Sequence, residues 1–421
     1  MSILKKLKDI YLKNKVIFEN FSFITLLQIF LMIIPLITYP YLIRVLGSEL
    51  YGIVITAQIV ASYCSVIVDF GFKSVSARHV SIYRDDRQML SEIMSSILVT
   101  RLILWGGAFV IFLGVIYGVD SYRQHFWLFL FSYGLTFNEL LFPQFFFQGI
   151  ERMKSIVVIN ILIRSIFIIL IFIFVTEKKD YIFVPLFSSI GYFIGGIVSL
   201  YIIVKKYHIS FVKPDIVKMK YYVKDALPIV YTDVICTVKD KLSYIFIGQL
   251  IGMSEVTIYD LGAKLVRILA KPSGIIATVL FPKIAKKKDI KLFNQGLLIS
   301  LGVTLFLVLG TNLFLDYIVR FFMNESIDLL PIRLFLIVPV VLAVSGFIAS
   351  NLMIALGYNK YILYSIIVTT IGYCSSLAIF YYMDYMTVTS MVLVALIAYL
   401  AEFVYRLLKS NKIIKNERKV K

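Results

Sequence analysis

The sequence predicts an all-α, polytopic membrane protein in which about twelve transmembrane helices fill almost the whole chain. Hydrophobic residues make up 60% of the 421 residues, and the mean hydropathy is +0.89. Only 16% of the residues are charged, too few to cover a chain of this length in water. Apolar runs of about 20 residues recur, the length that an α-helix needs to cross a hydrocarbon core of about 30 Å. Lipid favours helices over open sheet because each segment must satisfy its own backbone groups.

Twelve apolar segments are assigned as spans, and the connections between them are too short to hold an extramembrane domain. The seventh and eighth segments depart most from the pattern because each carries several charges. The segments cover residues 21–43, 51–69, 93–118, 125–147, 156–175, 182–204, 227–250, 258–281, 293–315, 329–350, 361–383 and 388–408.

Lys and Arg are distributed unequally between alternate connections. Residues 1–20, every second loop and the residues from Arg406 onward hold 30 of the 43 Lys and Arg, whereas the opposite loops hold 5 and the spans 8. Because cytoplasmic connections are enriched in Lys and Arg, we expect both termini in the cytoplasm and an even number of spans. Membrane topology thereby accounts for the net charge of +18 without nucleic acid as a partner. The first apolar run is too long for a cleavable signal peptide, and no small-residue cleavage site follows it.

The cysteines and histidines predict neither a disulfide nor a metal site. Cys64, Cys236 and Cys374 all lie inside apolar runs, and the three histidines are scattered along the chain. We therefore expect no cofactor.

Residues 205–226 form the longest basic connection and divide the spans six and six. A short repeat supports this division, because residues 47–51 (GSELY) after the first span resemble residues 252–255 (GMSE) and Tyr259 after the seventh. Parallel repeats of this kind occur in secondary transporters, with the substrate site between the halves. Chance similarity in an apolar sequence is the alternative explanation. The expected parts are an N-terminal six-helix bundle (1–204), a cytoplasmic linker (205–226) and a C-terminal six-helix bundle with a basic cytoplasmic tail (227–421).

Eight basic residues lie within the predicted spans. Each would cost roughly 3 kcal/mol near the bilayer centre, so most are expected to face a bundle interior or a water-filled cavity. Lys264, Arg267 and Lys271, at spacing i, i+3, i+7, fall within about 60° of one another on one face of the eighth span. The full set is Arg101, Arg164, Lys239, Lys241, Lys264, Arg267, Lys271 and Arg333.

The acidic residues inside the spans leave two interpretations open. Asp233 and Asp240 share one face of the seventh span, and Glu139 lies in the fourth. These acids either pair with the basic residues and only fix helix packing, or an excess of buried positive charge binds an anion. The candidate substrate-binding residues are Arg267, Lys264, Lys271, Arg164, Arg101 and Asn160. The candidate ion-coupling residues are Asp69, Asp233 and Asp240.

Several short motifs resemble one known family. They are residues 39–47 (YPYLIRVLG) with Tyr51-Gly52, residues 68–72 (VDFGF) with Ala77-Arg78, residues 147–149 (FQG) with 151–153 (ERM), and Tyr259, Ala263, Arg267, Pro272 and 281–283 (FPK) in and after the eighth span. Together they resemble the Wzx family of bacterial polysaccharide repeat-unit (O-antigen) flippases, within the multidrug/oligosaccharidyl-lipid/polysaccharide exporter superfamily. The similarity extends from about residue 20 to 285, and the last third is similar only in hydropathy and length.

The resemblance implies two six-helix bundles around a central cavity. It implies that the chain moves undecaprenyl-pyrophosphate-linked oligosaccharide from the cytoplasmic to the periplasmic leaflet of a bacterial inner membrane by alternating access. Arg suits a bidentate grip on phosphate, and Lys acts as a point charge. Asp69 or Asp233 would couple transport to a cation gradient, with proton and sodium both open. Membrane lipid, a polysaccharide polymerase and a chain-length regulator are the further partners expected.

Three other functions remain as alternatives. A drug or cation exporter of the same superfamily should have an acidic cavity, and the excess of Arg and Lys argues against it. A lipid-linked peptidoglycan-precursor flippase is the second alternative. The third is a membrane glycan polymerase or ligase, which would usually carry a sizeable periplasmic loop, whereas no loop on that side exceeds about a dozen residues. The sequence also lacks a nucleotide-binding loop, so we expect a transporter that is neither an enzyme nor an ATP-driven pump.

Overall fold

A computed structural model describes residues 15–323 and 327–419, and within these ranges the chain is helical and contains no strand. Residues 1–14, which hold most of the basic residues counted at the N-terminus, lie outside the described part. The α-helices, numbered in chain order, are α1 (Lys15–Leu46), α2 (Ser48–Asp69), α3 (Phe72–Ile82), α4 (Arg87–Gly118), α5 (Asp120–Arg123), α6 (Phe126–Tyr133), α7 (Phe137–Leu141), α8 (Gln144–Gly149), α9 (Met153–Phe174), α10 (Phe183–Tyr207), α11 (Ile216–Leu250), α12 (Met253–Lys287), α13 (Ile290–Leu313), α14 (Leu315–Met323), α15 (Leu330–Phe335), α16 (Ile337–Ile348), α17 (Lys360–Tyr382) and α18 (Val388–Lys419).

Ten helical segments of the described chain are long and apolar enough to cross a membrane, which confirms the all-α polytopic class. Each has a mean hydropathy of at least 1.5 over its most apolar stretch. Ten of the twelve predicted spans overlap them, with ends that differ by a few residues, and the charged segment 258–281 lies inside α12. The ten are Thr25–Leu46, Ser48–Ile82, Arg87–Gly118, Met153–Phe174, Lys178–Tyr207, Met253–Lys286, Ile290–Leu313, Leu330–Ile354, Lys360–Tyr382 and Val388–Lys415.

The two other predicted spans differ from these for separate physical reasons. The segment 125–147 is divided among α6, a short 3₁₀ turn, α7 and α8. Phe142 is extended because it precedes Pro143, and a residue before proline is disfavoured in the helical region. The segment 227–250 lies inside the continuous helix α11, but its charged residues reduce its hydropathy.

The chain forms two compact units. The first comprises Met1–Gly47 and Val54–Val238, and the second comprises Ser48–Ile53 and Lys239–Lys421. The division therefore lies inside α11, and the first turn of α2 belongs with the second unit. The predicted assignment of six spans to each of two bundles around a central cavity stays a prediction.

The core of the first unit is rich in aromatic residues. Phe72 of α3 and three consecutive phenylalanines of α8, Phe145 to Phe147, are fully buried in one cluster. Ile163 of α9 belongs to the same cluster, and Gly191 and Gly195 let α10 approach it closely, since a Cβ at either position would lie within 3 Å of Ile163. Small residues serve the same purpose between many transmembrane helices.

The connection after α10 is held against the first unit. The backbone N–H groups of Ser210 and Val212 donate to the side-chain hydroxyls of Ser91 (3.1 Å) and Ser95 (2.9 Å) on α4. Lys218 forms an ion pair with Glu92 of the same helix. The linker predicted at 205–226 is therefore attached to α4.

The second unit contains both copies of the short sequence repeat. The hydroxyl of Thr257 in α12 donates to the backbone oxygen of Ser48 at the start of α2 (2.6 Å). Gly52 packs so closely on Met253 that a Cβ would lie 1.8 Å from its carbonyl oxygen. The first turns of α2 and α12 thus pack on each other, a contact for which only glycine leaves room.

The end of α18 is part of the second unit's structure. Ile413 is buried in a core cluster with Phe293, Phe347 and Leu352. Arg406, which the charge count assigns to the cytoplasmic tail, is also buried, with 9% of its side chain exposed. The helix therefore continues well beyond the predicted end of the last span at residue 408.

Candidate functional site

The basic face predicted on the eighth span is organised around an acid that the sequence analysis missed. Asp260 lies on α12, and 5% of its side chain is exposed. One carboxylate oxygen pairs with Lys264 one turn later, and the other accepts a hydrogen bond from the Tyr244 hydroxyl (3.2 Å). Lys264 also donates to the hydroxyl of Tyr51 (3.2 Å), whose ring its ammonium faces. We call Tyr51, Tyr244, Asp260 and Lys264 the Asp260 cluster.

The Asp260 cluster corrects the predicted pairing of Lys264. The sequence analysis considered Asp233 and Asp240 of the seventh span as partners, whereas the partner is an acid on the same helix. Asp260 lies near the start of the eighth span and was not counted as an intramembrane charge. The signal was present in the sequence, because an acid four residues before a lysine is the favoured helical ion pair.

Arg267 and Lys271 extend from this cluster along the same helix. The guanidinium of Arg267 lies 3.7 Å from an Asp260 oxygen at its Nη2, and 63% of the side chain is exposed. Lys271, one turn further along α12, is also exposed. A lipid-facing Arg in a span is costly, so an exposed pair of cations on this helix indicates a water-accessible or headgroup-facing surface.

A second charged cluster lies in the first unit and includes Arg101, of whose side chain only 2% is exposed. Its Nη2 pairs with Asp69 at the end of α2, and its Nη1 donates to the backbone oxygen of Glu139 on α7 (2.7 Å). The ring of Phe145 lies 5.3 Å from the guanidinium carbon. Asn138 donates to one carboxylate oxygen of Glu139 (2.9 Å). We call Asp69, Arg101, Asn138 and Glu139 the Arg101 cluster.

The other candidates in the first unit have local partners. The amide nitrogen of Asn160 donates to Ile156 of its own helix (2.8 Å). Arg164 packs over the ring of Tyr192 on α10, at 5.5 Å from the ring centre. Asp233 is half-buried on α11.

In the second unit, Asp240 is half-exposed and lies 3.0 Å from the ammonium of Lys239, its neighbour in sequence. Lys239 in turn lies over the ring of Tyr399.

A further buried arginine of the second unit was not predicted. Arg406 pairs with Glu402 on α18, and it donates to the hydroxyls of Ser345 and Ser365, both at 3.1 Å. A third bond runs to the backbone oxygen of Ser345 (3.3 Å). These partners lie on three helices, so this guanidinium joins α16, α17 and α18. In contrast to Arg267, it is enclosed by protein.

Within the described residues, no group of three or more His, Cys, Asp and Glu side chains is placed to hold a metal ion.

Comparison with known proteins assigns the chain to a family. Residues 17–288 match the profile of the family described as polysaccharide biosynthesis protein, and both clusters lie in this range. The chain belongs to this family. The resemblance to polysaccharide repeat-unit flippases is thereby confirmed at the level of the family.

Individual relatives agree with this assignment. A protein of Escherichia coli (strain K12) named putative O-antigen transporter is 24% identical and matches 83% of this chain and 85% of its own length. A protein of Shigella dysenteriae with the same name is 26% identical over 60% of this chain and 63% of its own length. Among solved structures, the inward-facing conformation of a multidrug resistance MATE family transporter of the MOP superfamily has a TM-score of 0.63 at 15% identity. It covers 91% of this chain and 99% of that one, and it shows that the fold is shared.

Proposed function

We propose that this family member is a flippase for lipid-linked oligosaccharide repeat units. Its substrate is an oligosaccharide on undecaprenyl pyrophosphate, which moves from the cytoplasmic to the periplasmic leaflet of a bacterial inner membrane. The family match, the O-antigen transporter names of two relatives and the transporter fold support this proposal. Both termini lie in the cytoplasm, and a cation gradient drives alternating access without enzymatic chemistry.

The chemistry of such a substrate explains the need for cations inside the membrane. Its pyrophosphate and glycan are costly to desolvate in hydrocarbon, whereas its polyprenyl tail is not. Charge-assisted hydrogen bonds from Arg and Lys replace the water around the phosphates. The tail remains in lipid while the head crosses on the protein's polar surface.

Arg267 and Lys271 are the residues that we assign to the pyrophosphate. The single observation that supports this assignment is that Arg267 is largely exposed beside an Asp260 carboxylate that already has nearer partners, Lys264 and Tyr244. The Arg267 Nη2 lies 3.7 Å from the nearer Asp260 oxygen, which is too long for a hydrogen bond. The planar fork of N–H groups on Arg267 therefore stays available to bind an anion. Lys264, in contrast, is enclosed by the Asp260 cluster and positions α12 instead of binding substrate.

The test compares Arg267→Ala with a matched control in cells that depend on this protein for surface glycan. A hydrogen bond to a charged group contributes about 1.5–3 kcal/mol, so substrate affinity should fall ~10- to 100-fold. Surface glycan should be lost while the amount of membrane-inserted protein stays unchanged. Arg267→Lys should restore part of the display, because the charge remains and the fork is lost.

Arg320→Ala is the control. Arg320 is equally exposed, and it lies 2.9 Å from an acid one turn earlier, Asp316. Both glycan display and protein amount should remain unchanged in this variant. Full display with Arg267→Ala would contradict the proposal. So would a fall in the amount of inserted protein in Arg267→Ala, because Arg267 would then serve the fold and not the substrate.

A further inference from the structure

The Arg101 cluster has a feature that substrate binding does not explain. Arg101 is enclosed by protein, so it cannot present a surface to a large glycan in this conformation. Of its donors, Nη2 binds Asp69 and Nη1 binds the backbone of Glu139, while Nε is buried without a hydrogen-bond partner among the described residues.

Glu139 in the same cluster holds an unused acceptor. Its Oε1 accepts from Asn138, and its Oε2 is buried with no hydrogen-bond partner in the described part of the chain. Arg101 reaches the main-chain oxygen of this residue, but its ion pair goes to Asp69. A buried ionised carboxylate that lacks partners is strongly disfavoured, whereas a neutral carboxylic acid in the same place is tolerated.

We propose that Glu139 is the proton-binding group of the transport cycle, and that Asp69 remains the ionised partner of Arg101. The inference rests on the proposed function and specifies its coupling ion. When Glu139 holds a proton, the cluster is neutral, with Arg101 and Asp69 as its ion pair. When Glu139 releases the proton to water, its carboxylate takes up the free Nε–H of Arg101, and the cluster carries a net charge of −1.

The groups around Glu139 agree with a proton and disfavour sodium. Arg101 faces it from α4, Asp69 from α2 and Asn138 from α7 itself. From α10, Gly196 and Ser199 pack against the adjacent Leu141. A metal cation would be repelled by the guanidinium, which is already in the cluster. A proton avoids this repulsion because it is bound covalently and neutralises one oxygen.

The position of Glu139 also suits a group that responds to conformation. Helix α7 is five residues long, and it lies between a 3₁₀ turn and the break at Pro143. The backbone N–H of Phe137 bonds back to Gly134, so α7 is continuous with the 3₁₀ turn, and the break before Pro143 is the point at which this segment can bend. Formation of the bond between the Arg101 Nε–H and the ionised Glu139 would be linked to such a bend, while Asp69 keeps its pair with Arg101.

The first test detects the proton and needs no substrate. Full-length protein in lipid nanodiscs is titrated with acid while the infrared band of protonated carboxyl groups is recorded. Glu139→Gln should remove a band that the wild type shows. The control Glu151→Gln, which changes an exposed carboxylate of the following loop, should keep that band. An unchanged spectrum in Glu139→Gln would overturn the inference, and so would a titration that shifts when sodium replaces a large organic cation.

The second test separates this inference from the proposed function. Gln mimics the protonated acid and can keep the bond from Asn138, so Glu139→Gln should insert normally but lose glycan display. Glu139→Asp, which still titrates, should restore part of it. Wild-type display in Glu139→Gln would overturn the coupling role even if Arg267→Ala behaves as proposed. If instead Arg267→Ala retains display, the substrate assignment fails, while the infrared result for Glu139 is unaffected.

Discussion

The immediate partners of a basic residue inside this membrane protein determine whether it can contact a substrate. Arg406 has four side-chain or backbone partners on three helices, and Arg101 is buried against Asp69. Lys264 is enclosed by the Asp260 cluster, whereas Arg267 and Lys271 on the same face are exposed. The predicted stripe of three cations therefore contains one enclosed residue and two exposed ones, and it is the exposed two that we propose to bind the anion.

Spacing in the sequence could locate this stripe but could not separate its members. Helical periodicity places Lys264, Arg267 and Lys271 on one face, and the structure confirms that they share α12. What distinguishes them is Tyr51, which is more than two hundred residues away in sequence, together with Tyr244 of the preceding helix. Contacts of this kind depend on tertiary packing, so periodicity carries no information about them.

Removal of the Asp260 carboxylate should destabilise the protein. Asp260→Asn leaves the Lys264 ammonium buried without its counter-charge, and such a loss typically reduces protein abundance several-fold. The amount of inserted protein, measured by immunoblotting of membranes, should therefore fall. The double variant Asp260→Asn/Lys264→Met removes both charges and should restore the amount.

The matched control for this prediction is Asp316→Asn. Asp316 also pairs with a basic residue one turn later, but its pair with Arg320 is exposed. Surface ion pairs contribute about 0–1 kcal/mol, so the amount of protein should not change. Equal effects of Asp260→Asn and Asp316→Asn would show that the Asp260 cluster has no special role in stability.

At the scale of helices, the sequence predicted all ten segments that qualify as spans within the described residues, together with two, 125–147 and 227–250, that do not qualify by length and hydropathy. The apolar runs are long enough that their helical state follows from the membrane alone. The attachment of the connection at 205–226 to α4 could not be predicted, because it depends on two serine hydroxyls that accept from backbone groups. Such a bond needs only a serine hydroxyl opposite a backbone N–H group, and this requirement produces no recognisable pattern in the sequence.

Asp225, in the third turn of α11, provides a second attachment of this connection. Its Oδ2 lies 2.6 Å from an Arg78 nitrogen and 2.8 Å from His79 Nε2, both on α3. The hydrogen bond with His79, followed by that with Arg78, lowers the pKa of Asp225 below its ordinary value of 3.8. Since the folded pKa is lowered, the stabilisation is present above the unfolded pKa and is lost only as the pH falls through the folded one.

We expect Asp225→Asn to loosen the connection. Hydrogen exchange measured by mass spectrometry at neutral pH should become faster across residues 208–226, because both bonds to α3 lose their charge. Asp85→Asn, which changes an acid that is 95% exposed at its side chain, should leave this exchange unchanged. In the wild type, exchange corrected for its intrinsic pH dependence should be equal at pH 7 and pH 5. Faster exchange at pH 5 would contradict this attachment.

At the scale of the whole molecule, the number of crossings decides the orientation of every connection. Ten segments qualify as spans by length and hydropathy, and the charge distribution calls for an even number, which both ten and twelve satisfy. Ten and twelve crossings differ by two segments, the broken segment 125–147 and the part of α11 at 227–250. If the broken segment crosses, five spans precede Lys178. If it does not, four precede it, and Lys178 lies on the side of the N-terminus.

Labelling of single cysteines by a membrane-impermeant reagent distinguishes the two arrangements. Lys178 and Lys412 are both exposed, so Lys178→Cys and Lys412→Cys are matched sites. The background is a chain in which Cys64, Cys236 and Cys374 are replaced, since Cys374 is itself exposed. We expect Lys178→Cys to react in intact spheroplasts and Lys412→Cys to react only after permeabilisation. Reaction of both under the same condition would mean that the chain between them crosses an even number of times, so that α11 does not cross. If both react only after permeabilisation, the broken segment 125–147 does not cross either, given a cytoplasmic N-terminus. Because the Arg101 cluster includes residues of that broken segment, its crossing also determines whether Glu139 can exchange protons across the membrane.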